Sequence, residues 1–310
     1  MQLYETPDNR APKGTEVYAA RTRNNMRIRA MTAPSLTAES KGTVVILNGR
    51  ADFIERYFET MGDLQRRGYH VAGFDWRGQG GSQRLLKDPM RGHIRSYREY
   101  DEDLRAVMDG VVTKNCPGPY YAIGHSTGGH ILLRALSRQT WFKKAIVTAP
   151  LMELQYGPWP KSVAFFLAAM TTAFGFGWCY LPGFKRPPFL FRGFDNNPLT
   201  SDAKRWARDV RTLENNKNLG VGGPTYAWLV ATILSFKDLH KRRKGQGLNS
   251  PVMIILAGRE RVVDNAASHR FASAMPGVSV VTIGQSLHEI MLENDTVRKE
   301  FLAVFDSYVG

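Results

Sequence analysis

The stretch YYAIGHSTGG, residues 120–129, decides the fold class of this chain. An apolar run ends at Gly124, and Ser126 stands in a G-x-S-x-G pattern that leads into a helical segment. In a nucleophile elbow, a sharp turn between a strand and a helix lifts the serine hydroxyl out of the sheet, and small neighbours keep the turn free of clashes. The pattern therefore predicts a serine nucleophile at position 126.

Short β-rich runs alternate with helical patterns along most of the chain. The later runs are separated by amphipathic helices, which is the arrangement of a parallel sheet covered on both faces, and the first two form an antiparallel pair. We therefore expect an α/β protein with a mostly parallel eight-stranded sheet and helices on both faces. The predicted strands lie at residues 16–20, 26–30, 42–47, 71–76, 120–124, 145–149, 252–256 and 278–283.

The alternation stops between two predicted strands, in a segment rich in aromatic residues, proline and glycine. An insertion there would lie over the carboxyl ends of the strands, where α/β sheets bind ligands. We expect residues 1–150 and 248–310 to form the core, and residues 151–247 to form an inserted helical cap. Residues 162–184 carry no charge, but glycine and proline interrupt them. This composition favours an apolar lid, either at an acyl pocket or at a lipid interface, and disfavours a membrane span.

Charge and cysteine content restrict the compartment and the partners. The 310 residues carry a net charge of +14, most densely in the basic cluster KRRK at residues 241–244, which suits an anionic membrane surface. Two cysteines provide neither a disulfide framework nor a metal-binding pattern, and the N-terminal segment lacks the apolar core of a secretory signal. We expect a cytoplasmic protein. The positive charge extends this expectation to a peripheral position on the inner face of a membrane. No pattern predicts a nucleic-acid partner, a cofactor or a metal, and the oligomeric state stays open.

A serine nucleophile needs a base to take its proton, and histidine usually serves. Among seven histidines, His288 follows the last predicted strand by a short loop, which puts it at the same sheet edge as Ser126. The acid that orients the base should follow the strand at residues 252–256, because proteins with a nucleophile elbow have the chain order serine, acid, histidine. Glu260 and Asp264 are the candidates. Glu260 lies nearer the strand end and is preferred, whereas Asp264 stands where a helix cap is expected.

The oxyanion of acyl transfer needs two backbone N–H donors. One is expected from Thr127, which follows the nucleophile, and the other from Arg50, in the loop after the strand at residues 42–47. The Arg50 side chain is expected to face solvent, with an anionic head group as its alternative partner. His125 also flanks the serine, but we expect its side chain to point elsewhere.

Seven stretches of the chain resemble the bacterial lysophospholipase and monoacylglycerol lipase branch of the α/β-hydrolases. They are ILNGRADFIERY (46–57), FDWRGQGGS (74–82), GHSTGG (124–129), NNPLTSD (196–202), GGPTYAW (222–228), ERVVDN (260–265) and HEIMLEND (288–295). The resemblance implies a Ser126 nucleophile, a His288 base, and oxyanion donors at Arg50 and Thr127. The family's acid falls where Glu260 stands but is usually aspartate, so both acid candidates stay open.

The resemblance also implies an α/β-hydrolase fold and a cofactor-free serine esterase acting on a single-chain lipid ester. A lysophospholipid is the favoured substrate, and a monoacylglycerol or a general carboxylic ester is the alternative. A peptidase would need an acidic anchor in the cap, for which Glu153 and Asp195 are the candidates. A non-catalytic binding protein of the same fold would be expected to lack a member of the triad.

Overall fold

One sheet of eight strands forms the centre of the molecule. The computed structural model describes residues 1–154, 160–184, 187–242 and 247–310, so the second half of the basic cluster lies outside the described residues. The spatial order is β1-β2-β4-β3-β5-β6-β7-β8. The strands are β1 (Glu16–Arg21), β2 (Arg27–Ala33), β3 (Thr43–Leu47), β4 (His70–Phe74), β5 (Tyr120–His125), β6 (Phe142–Thr148), β7 (Val252–Ala257) and β8 (Val278–Ile283).

The sheet is parallel except at β2, which runs antiparallel to both of its neighbours, β1 and β4. Every residue of β3 is buried. Because successive side chains of a strand point to opposite faces, both faces of the sheet centre are covered. The α/β-hydrolase architecture expected from the sequence is thereby confirmed.

Helices fill most of the connections between the strands. They are α1 (Phe58–Arg66), α2 (Tyr97–Val107), α3 (Thr113–Asn115), α4 (Thr127–Leu136), α5 (Lys161–Thr171), α6 (Ala203–Asn215), α7 (Tyr226–Arg242), α8 (Asn265–Ala272) and α9 (Asp295–Tyr308).

Several predicted strand ends differ from the structure by one to three residues, as at β2, which extends to Ala33. Two of the differences have local reasons. β4 ends at Phe74, before the predicted end, because the Asp75 carboxylate accepts hydrogen bonds from the backbone N–H of Ile54 (2.9 Å) and of Gly81 (2.7 Å) and draws the chain into a turn. β6 begins earlier than predicted, at Phe142, and exposes Lys143 before its apolar part. An apolar run therefore marks only the fully buried portion of a strand.

The register of the parallel strands brings several loops to one edge of the sheet. Leu47, the last residue of β3, pairs with Gly124 just before the elbow. At the other side of the sheet, Ala257 at the end of β7 pairs with Ile283 at the end of β8. The loops that follow β3, β5, β7 and β8 therefore all leave the sheet at its carboxyl edge, where ligands bind in this class of fold.

The segment between β6 and β7 contains α5, α6 and α7. It has an apolar cluster of its own, in which Ala168 of α5 is buried with Leu229 and Ile233 of α7. The other side of α7 joins the main core through Trp228 and Phe236. The segment is thus a helical layer anchored to the core through α7.

The uncharged stretch of this segment is divided into short pieces. α5 has 11 residues, and the turn that follows it is broken at Gly175, whose φ is +86°. Among the described residues, no helix combines the length and the apolarity that crossing a membrane requires.

Candidate active site

Ser126 lies in a strained turn between β5 and α4. Its φ and ψ are 50° and −115°, a conformation that residues with a side chain seldom adopt. The turn is held from both sides, because the Ser126 N–H donates to the carbonyl of Thr148 (3.0 Å) and its carbonyl accepts from the N–H of Leu151 (3.0 Å). Gly128 is required here, since a Cβ at this position would lie 2.2 Å from the carbonyl oxygen of Leu47. The half-buried serine lines a cavity at the sheet edge.

His288 lines the same cavity and forms a hydrogen bond with Glu260. The distance between His288 Nδ1 and Glu260 Oε2 is 2.8 Å, and both side chains are at least 95% buried, with exposures of 5% and 3%. Glu260 Oε1 accepts from the backbone N–H of Val262 (2.7 Å) and of Val263 (3.2 Å). Burial opposes the charge of Glu260, but the hydrogen bonds from His288 and these N–H groups outweigh it and lower the pKa of Glu260. A carboxylate at Nδ1 holds the proton there and leaves Nε2 free to act as a base.

Asp264, the other candidate acid, has a different set of partners. Its carboxylate accepts from the Ala266 N–H (2.8 Å) at the start of α8 and from Arg270 Nη2 (3.2 Å). It forms no hydrogen bond with His288 within the described part of the chain. The structure therefore brings Glu260 to the histidine and uses Asp264 as the N-cap of α8.

Two backbone N–H groups near Ser126 are free to bind an oxyanion. The neighbours of Arg50 are engaged, because the Gly49 N–H donates to Asp52 Oδ2 (2.9 Å) and the Ala51 N–H donates to Gln79 Oε1 (3.2 Å). The N–H groups of Arg50 and Thr127 have no acceptor among the described residues, and both residues line the cavity. Thr127 is the first residue of α4, where a helix leaves its N–H groups without partners.

The structure corrects the expectation for His125. Its ring does not point away from the site but lies 4.9 Å from the ring of His288, centroid to centroid. Its Nδ1 is 3.1 Å from Thr148 Oγ1. Burial and the adjacent imidazole lower the pKa of His125 to about 3, so His125 packs against His288 as a neutral ring.

A buried charge cluster that the sequence did not predict forms part of the cavity lining. Arg56 donates from Nε to Asp209 Oδ2 (2.7 Å), from Nη2 to Glu289 Oε2 (2.6 Å) and from Nη1 to Asp52. We call these four residues the Arg56 cluster. It joins the loop after β3, helix α6 and the residue that follows His288 in the chain. The spacing of Asp52 and Arg56, one helical turn apart, was the local signal that could have indicated it.

The cavity has a volume of about 360 Å³ and apolar walls. The apolar side chains include Leu151, Leu154, Phe184, Leu190, Leu213 and Trp228. The Arg50 side chain also lines it, contrary to the expectation that it would face solvent: its Nη1 donates to the carbonyl of Gly222 (2.9 Å). Such a chamber beside a serine and a histidine can hold an apolar chain while a few polar groups fix the reacting end.

The chain is similar in sequence to known lipid hydrolases. The sequence profile of the family described as serine aminopeptidase, S33, matches residues 38–295. Lysophospholipase L2 of Escherichia coli is 33% identical over 288 residues, which cover 86% of this chain and 79% of that protein. A monoacylglycerol lipase of Mycolicibacterium smegmatis is 28% identical over 128 residues, covering 41% of this chain and 44% of that protein.

Solved structures share the fold at low sequence identity. A soluble variant of monoglyceride lipase from Saccharomyces cerevisiae, in complex with a substrate analog, superposes with a TM-score of 0.73 at 17% identity, and 95% of each chain is covered. A thermostable carboxyl esterase from Bacillus coagulans, in complex with glycerol, gives a TM-score of 0.74 at 16% identity, covering 96% of this chain and 99% of that one. The profile match over most of the chain and the 33% identity to lysophospholipase L2 show that the chain belongs to the serine aminopeptidase S33 family of α/β-hydrolases.

Proposed function

We propose that this protein is a carboxylic ester hydrolase that cleaves a single-chain lipid ester, with a lysophospholipid as its preferred substrate. The observation that carries the proposal is the 2.8 Å hydrogen bond between His288 and Glu260 at an apolar cavity that Ser126 also lines. The names of the relatives, lysophospholipase L2 and monoacylglycerol lipase, support the substrate class. A monoacylglycerol or a general carboxylic ester is the second candidate.

The proposed mechanism assigns each group one task. Ser126 Oγ attacks the ester carbonyl while His288 Nε2 takes its proton, and the oxyanion accepts hydrogen bonds from the N–H groups of Arg50 and Thr127. The tetrahedral intermediate collapses, the C–O bond to the alcohol breaks, and His288 returns the proton to the leaving oxygen. Water, deprotonated by His288, then hydrolyses the acyl-enzyme. Glu260 stabilises the imidazolium in both halves of the reaction.

The charges in the cavity favour an ester over a peptide substrate. An aminopeptidase would need a free carboxylate to bind the substrate amine, and neither Glu153 nor Asp195 lines the cavity. The carboxylates that do line it within the described residues, Asp52 and Glu289, are both hydrogen-bonded to Arg56. Neither of them is therefore a free anchor for an amine.

The assignment of the acid can be tested by exchanging one carboxylate for an amide at a time. Glu260→Gln is expected to lower kcat on a short-chain p-nitrophenyl ester by about 10²- to 10⁴-fold, because an amide no longer stabilises the imidazolium or fixes its tautomer. Asp264→Asn keeps a good helix cap and should change kcat by about twofold at most. A larger loss in Asp264→Asn than in Glu260→Gln would transfer the role of the acid to Asp264.

We further infer that residues 151–247 act as a cap whose outer surface contacts the membrane from which the substrate comes. Large apolar side chains are exposed on α5 and the turn after it, including Phe166 (62% exposed) and Phe174 (70%). Cations lie next to this apolar surface: Lys237 Nζ is 4.6 Å from the ring centroid of Phe165, and the Arg91 guanidinium is 4.4 Å from that of Trp178. Apolar side chains beside basic ones are typical of a surface that binds an anionic lipid interface. Both cysteines are free, which fits the inner face of a membrane in a reducing cytoplasm.

This contact predicts that the double substitution Phe166→Ser with Phe174→Ser weakens binding to phosphatidylglycerol vesicles by about tenfold or more, because two exposed phenyl groups no longer enter the interface. Co-sedimentation measures the partition. Leu36→Ser, at a 46% exposed residue in the loop between β2 and β3, is the matched control and should bind like the wild type. Equal partition of all three proteins would refute the membrane contact.

A further inference from the structure

Three arginines line the substrate cavity. Arg56 is paired with the carboxylates of its cluster, whereas Arg50 and Arg192 lie outside that cluster, and the Arg50 backbone also offers an oxyanion donor. The Arg50 guanidinium is held by the carbonyl of Gly222 and lies 5.8 Å from the ring centroid of Trp228. Arg192, in the segment before α6, is exposed to solvent and also lines the cavity. Arg50 and Arg192 therefore place positive charge on the cavity lining outside the Arg56 cluster.

Neither arginine forms an ion pair with a carboxylate of the described residues. Asp52 is the carboxylate beside Arg50, but its oxygens already accept hydrogen bonds from Arg56, the Tyr57 hydroxyl and the Gly49 N–H. Elsewhere in the molecule the buried arginines have carboxylate partners. Examples are Arg29 with Glu55 and Asp75, and Arg77 with Asp103.

The two guanidinium groups also act on each other. Burial and, more weakly, the positive charge of Arg192 lower the pKa of Arg50, although Asp52 opposes this. Two cations that line one cavity, neither of them in an ion pair, repel each other, and an anion between them would relieve the repulsion. A guanidinium binds phosphate oxygens through two parallel N–H groups, which suits a phosphate better than a hydroxyl.

We propose that Arg50 and Arg192 form a subsite for the phosphate of a lysophospholipid head group, so that the enzyme discriminates phosphate-bearing single-chain lipids from neutral monoacylglycerols. The subsite rests on the proposed ester hydrolysis at Ser126. Such a substrate would reach both groups of Arg50, because the proposed oxyanion donor is its backbone N–H and only the glycerol backbone separates the ester from the phosphate.

The test compares two substrates that share one acyl chain, a 1-acyl-glycerophosphoglycerol and the 1-monoacylglycerol, both below their critical micelle concentrations so that no lipid surface contributes. The wild type should prefer the phospholipid. Arg50→Gln and Arg192→Gln should each lower the ratio of the two kcat/KM values by about tenfold or more, chiefly through KM of the phospholipid. Arg50→Lys keeps the charge and should retain part of the ratio. Arg98→Gln, an exposed position on α2 outside the cavity, removes the same charge and should leave the ratio unchanged.

The outcomes separate the subsite from the proposed function. Hydrolysis of neither substrate by the wild type would end the proposed function. Hydrolysis of both, with the same ratio in the wild type and the arginine variants, would overturn the subsite and leave the esterase standing. An equal loss on both substrates would likewise overturn it, because it would assign the arginines to steps common to both lipids. If Arg50→Gln does not fold, Arg192→Gln at its exposed position decides the question.

Discussion

Replacing Ser126 with alanine is expected to lower kcat for ester hydrolysis on the order of 10⁴- to 10⁶-fold, because the acyl-enzyme can no longer form and only binding and the oxyanion donors remain. Alanine should preserve the elbow, since the φ of 50° strains serine and alanine alike and the hydrogen bonds that hold the turn use backbone groups. Turnover of a short-chain ester and labelling by a fluorophosphonate probe measure the effect. The wild type should be labelled and the variant should not.

Ser137→Ala is the matched control for this experiment. It removes a hydroxyl at the other end of α4, where Ser137 Oγ donates to the carbonyl of Arg134 (2.8 Å), outside the cavity. Its activity and labelling should match the wild type. Full labelling of the Ser126→Ala protein would place the nucleophile elsewhere, and an unlabelled wild type would favour a non-catalytic protein of the same fold.

Replacing Arg56 with methionine is expected to lower the free energy of unfolding by about 3–5 kcal/mol. The substitution leaves the carboxylates of Asp52, Asp209 and Glu289 buried together without the guanidinium that they share, and each of them is at most 4% exposed. Uncompensated buried charge is among the costliest defects that a single substitution creates. Urea unfolding followed by circular dichroism measures the difference. Because Asp52 binds the Gly49 N–H and Glu289 follows His288, we also expect a lower kcat.

Two comparisons separate this charge effect from simple loss of packing. Arg67→Met removes a partly exposed ion pair with Asp306 (2.9 Å) and should cost about 1 kcal/mol or less. Because Arg56 lowers the pKa values of Asp52 and Glu289, we expect its removal to raise them, so that protonation favours the folded state of the variant. The stability deficit should therefore be smaller at about pH 5 than at about pH 8. A deficit that matches Arg67→Met, or one that does not change with pH, would contradict the charge explanation.

The sequence alone does not decide whether Glu260 or Asp264 is the partner of His288. Glu260 and Asp264 lie in one short loop at the correct sheet edge, and the chain order of the fold admits either. The N-cap expected at Asp264 is a local feature, and the structure contains it. The hydrogen bond between Glu260 and His288, which are 28 residues apart in the chain, depends on how the loops after β7 and β8 pack against each other. No property of either loop alone determines that packing.

Local patterns in the sequence were enough to predict the order of strands and helices, the strand–serine–helix turn at Ser126 and the position of His288 after the last strand. These features follow from hydrophobic periodicity, small residues at a turn and chain order, which act over short distances along the chain. The partners of Arg56 and the direction of the Arg50 side chain depend instead on contacts between segments that are far apart in the chain. Glu289 is 233 residues from Arg56, and Gly222 is 172 residues from Arg50. Such contacts depend on packing between segments that local patterns cannot orient relative to one another.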